Sequence, residues 1–241
     1  MNKEVDRLVA WLQDEVAGAG AQGLIFGLSG GIDSALMAAL AKRAFPDKAL
    51  GVIMPINSNP EDEKDARLLA DQIDLWTQKV DLAPAYQAVL DQAGDLDSSL
   101  AKSNIKPRLR MSVLYYYGQA HNLLVCGCTN ASEFYTGYFT KYGDSACDLF
   151  PLVDFTKTEV YDLARFLDLP QKIIDRRPTA GLLEGQDDEK DMGFSYKELD
   201  AWIREGVEGP NIDKIKAMHK KSGHKRVFAK AYRREQAKVE E

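Results

Sequence analysis

The chain has 241 residues, of which 45% are hydrophobic and 28% charged, a balance that suits a folded protein with a substantial core and excludes a disordered or fibrous one. The formal net charge is −6 and there are three cysteines, too few and odd in number for a disulfide framework. No apolar run approaches the roughly 20 residues of a bilayer span and residues 1–7 lack the apolar stretch of a signal peptide, so the expectation is a reduced, cytoplasmic protein with no membrane attachment.

In chain order, Val5, Leu8, Val9, Leu12 and Val16 recur at helical spacing and predict an amphipathic helix over 3–17. Residues 24–28 form a short apolar run ending in glycines, which reads as a buried strand. The Ala/Leu/Met-rich stretch 35–44 predicts a helix, and 49–54 a second strand stopped by Pro55. Asn59-Pro60-Glu61-Asp62 spells an N-cap, a proline at the first helical position and an acidic first turn, opening a helix to about residue 72. A third strand is expected at 75–80, helices at 84–93 and 105–120, and a fourth strand at 122–127, on whose same face Cys126 and Cys128 would lie. Thr156 is expected to cap a helix running to residue 167, and Ser195-Tyr196-Lys197-Glu198 reads as a capping box. Between them, 179–193 reads as a mobile loop. Strand–helix alternation over the first 130 residues predicts an α/β fold with a doubly wound parallel sheet and helices on both faces. The simplest organisation is one domain over 1–241 with a helical C-terminal extension, and ligands are expected beyond the carboxyl ends of the strands.

Charge is uneven. Residues 214–241 carry ten basic and three acidic side chains, a local +7 that leaves −13 on the rest. Such a tail reads as a solvated helix face or as a site for an anion, whereas the acidic body disfavours a duplex-binding surface.

The most informative segment is Gly27-Leu28-Ser29-Gly30-Gly31-Ile32-Asp33-Ser34. It follows the first strand and opens a helix. Gly30 and Gly31 permit a tight turn and close approach of a ligand to the backbone. The helix start offers unpaired N–H groups to an anion, and Ser29 and Ser34 add hydroxyls. An acid beside phosphate makes sense as a magnesium ligand, which is the role expected of Asp33. The usual Gly-x-x-x-x-Gly-Lys P-loop is absent, and the G-x-G-x-x-G spelled by residues 18–23 precedes the strand instead of following it, so it reads as a connecting loop. With three histidines and no Cys-x-x-Cys, a zinc site is not expected.

The 29–34 segment resembles the loop of the ATP pyrophosphatases, the Rossmann-like adenine nucleotide α-hydrolase fold, whose members cleave ATP between its α- and β-phosphates and pass AMP to an acceptor. Further segments narrow the acceptor. Residues 104–111 (NIKPRLRM), 127–133 (GCTNASE), 136–144 (TGYFTKYGD), 148–152 (DLFPL), Thr156-Lys157, Arg177-Pro178-Thr179-Ala180 and His224-Lys225-Arg226 resemble, in order, segments of the NAD synthetase family. The resemblance covers nearly the whole chain and implies an ammonia-dependent NAD synthetase, a homodimer with sites at the subunit interface that uses ATP and Mg2+ to amidate deamido-NAD. It implies that the 27–34 segment, Cys128, Lys157 and Thr179 contact ATP. Arg108, Lys141, Asp148, His224 and Lys225 would hold deamido-NAD, Asp33 and Glu133 the metal, and Asp33 and Lys157 the catalysis. Cys128 stands where the family usually has threonine, and a thiol is the weaker hydrogen-bond donor. At 241 residues no extra glutaminase or nitrilase domain is expected, so ammonia is expected free or from a separate protein.

Two other classes are weighed against this. The same loop chemistry could act on a tRNA acceptor, which the acidic body disfavours. A non-catalytic adenylate-sensing module is disfavoured by the intact Asp33/Glu133 pair.

Overall fold

A computed structural model of the chain describes residues 1–94, 96–179, 181 and 187–232. It runs α1 (Asn2–Gly18), β1 (Gly23–Gly27), α2 (Ile32–Ala44), β2 (Ala49–Ile53), α3 (Pro60–Gln72), β3 (Trp76–Lys79), α4 (Ala83–Ala93), α5 (Ser99–Ser103), α6 (Ile105–His121), β4 (Leu123–Val125), α7 (Ala131–Thr136), α8 (Lys157–Phe166), α9 (Gln171–Ile174), α10 (Asp188–Met192), α11 (Tyr196–Glu205) and α12 (Ile212–Lys221). Among the described residues, no helix is long and apolar enough to cross a membrane.

All four strands are parallel, in the order β3-β2-β1-β4. The chain moves outward from β1 to β3, then returns to place β4 on the other side of β1. That reversal opens a crevice beyond the carboxyl ends of β1 and β4, where ligands gather in such sheets. Alternation along β1 feeds two cores. Leu24 and Phe26 pack with α1, α2 and α8, while Ile25 packs with Leu50 and Val52 under α4 and α6. Helix α2 is buried nearly all round because its side chains are mostly alanine and leucine, which lets it lie close against the sheet. The Asn59 side chain accepts the Glu61 N–H at 3.0 Å, closing the start of α3 as its sequence signals require.

The five-residue α5, capped by Ser98, lies in a stretch for which no element is expected from the sequence. Three local expectations are corrected. Within 179–193, residues 188–192 form α10, capped by Asp187 and closed by Gly193 at φ +77°; residues 180 and 182–186 lie outside the described residues, so the loop reading is not addressed there. Strand β4 stops at Val125, so Cys126, bridged to Leu149, and Cys128 do not share a strand face. Ser195 accepts the Glu198 N–H at 3.2 Å, but the Glu198 carboxylate does not complete a capping box: it accepts instead from Asn211 N at 2.6 Å and Asn211 Nδ2 at 2.9 Å. The C-terminal extension forms a third small core around Met192, Phe194, Tyr196, Leu199 and Ile215, packed on Tyr135 and Tyr138.

Gly30 adopts φ +81°, and a methyl group on it would lie 2.3 Å from the carbonyl oxygen of Asp62. Gly30→Ala is therefore expected to cost about 1–3 kcal/mol or more in urea unfolding. Gly18→Ala, at a helical glycine with nothing within 4 Å, should be neutral or stabilising by about 0.5–1 kcal/mol. Equal stabilities for the two variants would contradict the turn geometry.

Candidate functional site

The strand-to-helix turn is braced by its own hydroxyls. Ser34 Oγ accepts the Ser29 N–H at 3.2 Å and donates to Gly31 O at 2.9 Å, while the two serine oxygens lie 3.0 Å apart. Gly31, the N-cap of α2, has no side chain to satisfy the helix's first amides, which leaves a backbone cradle and a positive dipole end for an anion.

Three side chains from distant segments meet at the mouth of this turn. Lys157, the first residue of α8, is buried, and its Nζ lies 2.5 Å from Asp33 Oδ2 and 3.3 Å from Glu133 Oε1. Asn130 ties the carboxylates together: its Nδ2 donates to Asp33 Oδ1 at 2.8 Å, its backbone N–H to Glu133 Oε2 at 3.2 Å, and its Oδ1 accepts the Glu133 N–H at 3.0 Å. The Tyr196 ring lies 5.2 Å from the ammonium, and buried Asp188 accepts from the Tyr196 hydroxyl at 3.1 Å. Burial, then the charge of Asp33, push the Glu133 carboxyl up to about 8, against the pull of Lys157 and the Asn130 N–H. Burial opposes the Lys157 charge, but Asp33 and Glu133 outweigh it and hold its pKa above the ordinary lysine value.

A cavity of about 1000 Å3 opens from this cluster. Residues 27–34, apart from Gly30, line it, as do Cys128, Glu133, Lys157, Thr179 and Lys225. Burial and then the Asp33 charge push the Cys128 thiol upward, so it faces the cavity protonated. The floor is stiffened by ion pairs between α3 and the segment leading to Thr179: Arg176 pairs with Asp62, and with Asp65 at 3.1 Å, while Lys172 reaches Asp65 at 2.5 Å.

The other four predicted positions do not line the cavity. Arg108 donates to Lys141 O at 3.1 Å and Lys141 Nζ to His224 O at 2.7 Å, so these three form one chain on the outer side. Asp148 stands apart from them, accepting the Val125 N–H at 2.8 Å and the Tyr115 hydroxyl at 3.1 Å. Lys225 donates to Gly137 O and Phe139 O, both at 2.7 Å; much of the tail's charge that is described serves to hold backbone carbonyls.

Sequence reasoning gave no role to Asn130, Arg110, Asp188 or Tyr196. Asn130 had a signal, because Asn-x-x-Glu spells a capping box, and both of its hydrogen bonds form. Arg110 had only its place in a basic helix. It lines the cavity with Nε donating to Met54 O at 3.0 Å; burial lowers its pKa, opposed by the charges of Asp144 and Asp62.

A sequence profile described as NAD synthase matches residues 4–231. The NH3-dependent NAD+ synthetase of Finegoldia magna is 49% identical over 230 residues, 95% of each chain. Among solved structures, the NMN synthetase of Francisella tularensis superposes with a TM-score of 0.92 at 38% identity, over 96% of this chain and 98% of that one. The NH3-dependent NAD synthetase of Campylobacter jejuni gives 0.82 at 30% identity, over 96% and 99%.

A carboxyl whose pKa is higher folded than unfolded favours folding while protonated, and that advantage fades as pH rises from the unfolded value through the folded one. For Glu133 this window runs from 4.5 to about 8. The melting temperature of Glu133→Gln relative to the wild type, in metal-free buffer, should therefore rise between about pH 5 and about pH 8.5. A flat or falling difference would contradict the electrostatics described.

Proposed function

The chain belongs to the NAD synthase family, and we propose that Asp33, Glu133 and Lys157, gathered at the turn after β1, carry out its reaction. The chain is an ATP-using ligase that joins ammonia to deamido-NAD and yields NAD, AMP and pyrophosphate. A nicotinate carboxylate is a poor electrophile. In the first step one of its oxygens forms a bond to the α-phosphorus of ATP while the bond to the β-phosphate oxygen breaks and pyrophosphate departs. In the second, ammonia adds to the activated carbonyl carbon and the C–O bond to AMP breaks, with a proton lost from nitrogen. Most of the acceleration comes from holding the two reactants in line and from countering charge as it develops.

The observation that carries this reading is the shared Lys157 ammonium, 2.5 Å from Asp33 and 3.3 Å from Glu133 beside an uncapped helix start. The amides of the turn receive the departing pyrophosphate. Lys157 shifts from the carboxylates toward the α-phosphate. Asp33 and Glu133 suit Mg2+: both are hard oxygen donors, and both are aimed at one point beside the cavity, where Lys157 now sits. Among the described residues no group of three or more His, Cys, Asp or Glu stands ready to hold a metal; Asp33 and Glu133 are the residues that would hold the ion. When bound, it would screen the phosphate charge.

A second copy of the chain is proposed to complete the deamido-NAD site. Arg108, Lys141, Asp148 and His224 stand outside the cavity, and α6 beside them buries only Pro107 and Gly118, leaving Tyr116 72% exposed. The three cysteines are free, in keeping with a reducing cytoplasm. The Francisella tularensis match favours a second reading, in which the acceptor is the mononucleotide acid.

Supplied with Mg-ATP, ammonium and deamido-NAD, the protein is expected to form NAD, AMP and pyrophosphate in equal amounts. ADP as product would overturn the bond assignment. Faster turnover with nicotinate mononucleotide than with deamido-NAD would select the second reading. Asp33→Asn should abolish turnover while preserving the circular dichroism spectrum. Lys157→Ala should lower kcat by about 10^2-fold or more; unchanged rates would remove both residues from the mechanism.

A further inference from the structure

Asp200 lies on α11, in the C-terminal extension, and is buried at 6% exposure. It does not line the cavity, yet its carboxylate reaches the starts of two other helices. Oδ1 accepts from Ser132 Oγ at 2.5 Å, and Oδ2 accepts from the Thr158 N–H at 2.8 Å and from Thr158 Oγ1 at 2.6 Å. Ser132 Oγ in turn accepts the Lys157 backbone N–H at 2.9 Å. Ser132 immediately precedes Glu133 and Thr158 immediately follows Lys157. A single buried carboxylate therefore spans the first turns of α7 and α8, next to the two residues whose side chains meet 3.3 Å apart in the site.

Neither helix needs Asp200 as its cap. Asn130 and Glu133 form a complete capping box at α7, and Thr156 and Glu159 form another at α8. What Asp200 adds is a cross-link between the two starts. A buried carboxylate is costly unless its oxygens are satisfied; here the hydroxyl and amide donors satisfy it, and two helix N-termini favour its charge. The cross-link fixes how far the Glu133 carboxylate stands from the Lys157 ammonium, a separation to which charge stabilisation during adenylyl transfer is sensitive.

We propose that Asp200 is a positioning residue for the reaction, acting through Ser132 and Thr158 on the relative placement of Glu133 and Lys157. The inference rests on the catalytic reading of those two residues. Wild-type turnover and Lys157→Ala test that reading; Asp200→Asn and Ser132→Ala test the inference. In steady-state assays Asp200→Asn should lower kcat about tenfold or more while KM for ATP and for deamido-NAD stays within about twofold. Ser132→Ala, which removes one hydroxyl, should show the same pattern more weakly, and the double variant should fall no further than Asp200→Asn alone. Glu198→Gln, on the same helix as Asp200, keeps one acceptor oxygen but sets an amide NH2 against Asn211 Nδ2 at the start of α12; it should lose stability and leave kcat unchanged. If Asp200→Asn does not fold, Ser132→Ala alone decides. An unchanged kcat in folded variants, a loss confined to KM, or additive losses in the double variant would overturn the proposal.

Discussion

One buried ammonium organises the site. Two carboxylates brought this close and partly shielded from water repel each other, and a lysine between them is the least costly neutraliser the chain can supply. Asp33 stands a hundred or more residues before Glu133 and Lys157, which lie 24 residues apart on successive helices, so the meeting of the three depends on the fold. Bringing a polyphosphate and its metal to the turn would change that balance. The carboxylates would acquire a stronger cation, and the lysine would be released toward the new negative charge. On the proposed mechanism the same three groups would be stable without substrate and reactive with it.

The sheet topology makes this meeting possible. Asp33 sits on the helix that leaves β1, and Glu133 on the helix that follows β4, the neighbour of β1 across the reversal in strand order. The backbone must turn sharply at Gly30 to deliver Asp33, because the Asp62 carbonyl leaves no room for a side chain there. Lys157 arrives differently, on a helix held against α2 by the apolar face of Val160, Leu163 and Ala164. Hydrophobic packing therefore sets the gross distance between the charged groups, and hydrogen bonds through Asn130 and Ser132 set the fine one.

The turn and its acid were legible in the sequence because their pattern is local: glycines, hydroxyls and an acid within eight residues of a strand end. The main strands and long helices were legible for the same reason, through apolar runs, periodicity and caps such as Asn59. Glu133 and Lys157 were singled out by resemblance alone, since nothing in their neighbourhood announces that they meet Asp33, a hundred or more residues earlier. Asp188, Tyr196 and Asp200 were missed as site residues because they meet the Lys157 cluster across the fold, and such pairings leave no spacing pattern; Asn130 carried a local capping signal with Glu133 but none for its bond to Asp33. The short helix α10 was lost in a charged stretch whose cap, Asp187, and stop, Gly193, are visible only once the helix is known to be there.

The basic C-terminal segment illustrates how composition misleads when read as free charge. Arg226 donates to Tyr135 O at 3.0 Å and His219 O at 2.6 Å, so it closes the carboxyl ends of α7 and α12 together. Those ends carry the negative pole of their helices, which a guanidinium offsets well. Lys141 holds the carbonyl of His224, and Lys225 holds two carbonyls beyond α7. Residues 219–226 are thus tied onto the helix that bears Glu133, and the charges of Lys225 and Arg226 are presented from a held backbone. An anionic dinucleotide arriving there would meet a surface already ordered, so less of its binding energy would go into ordering the protein. That pre-ordering of residues 219–226, more than the +7 itself, is what would let the extension serve the proposed substrate site.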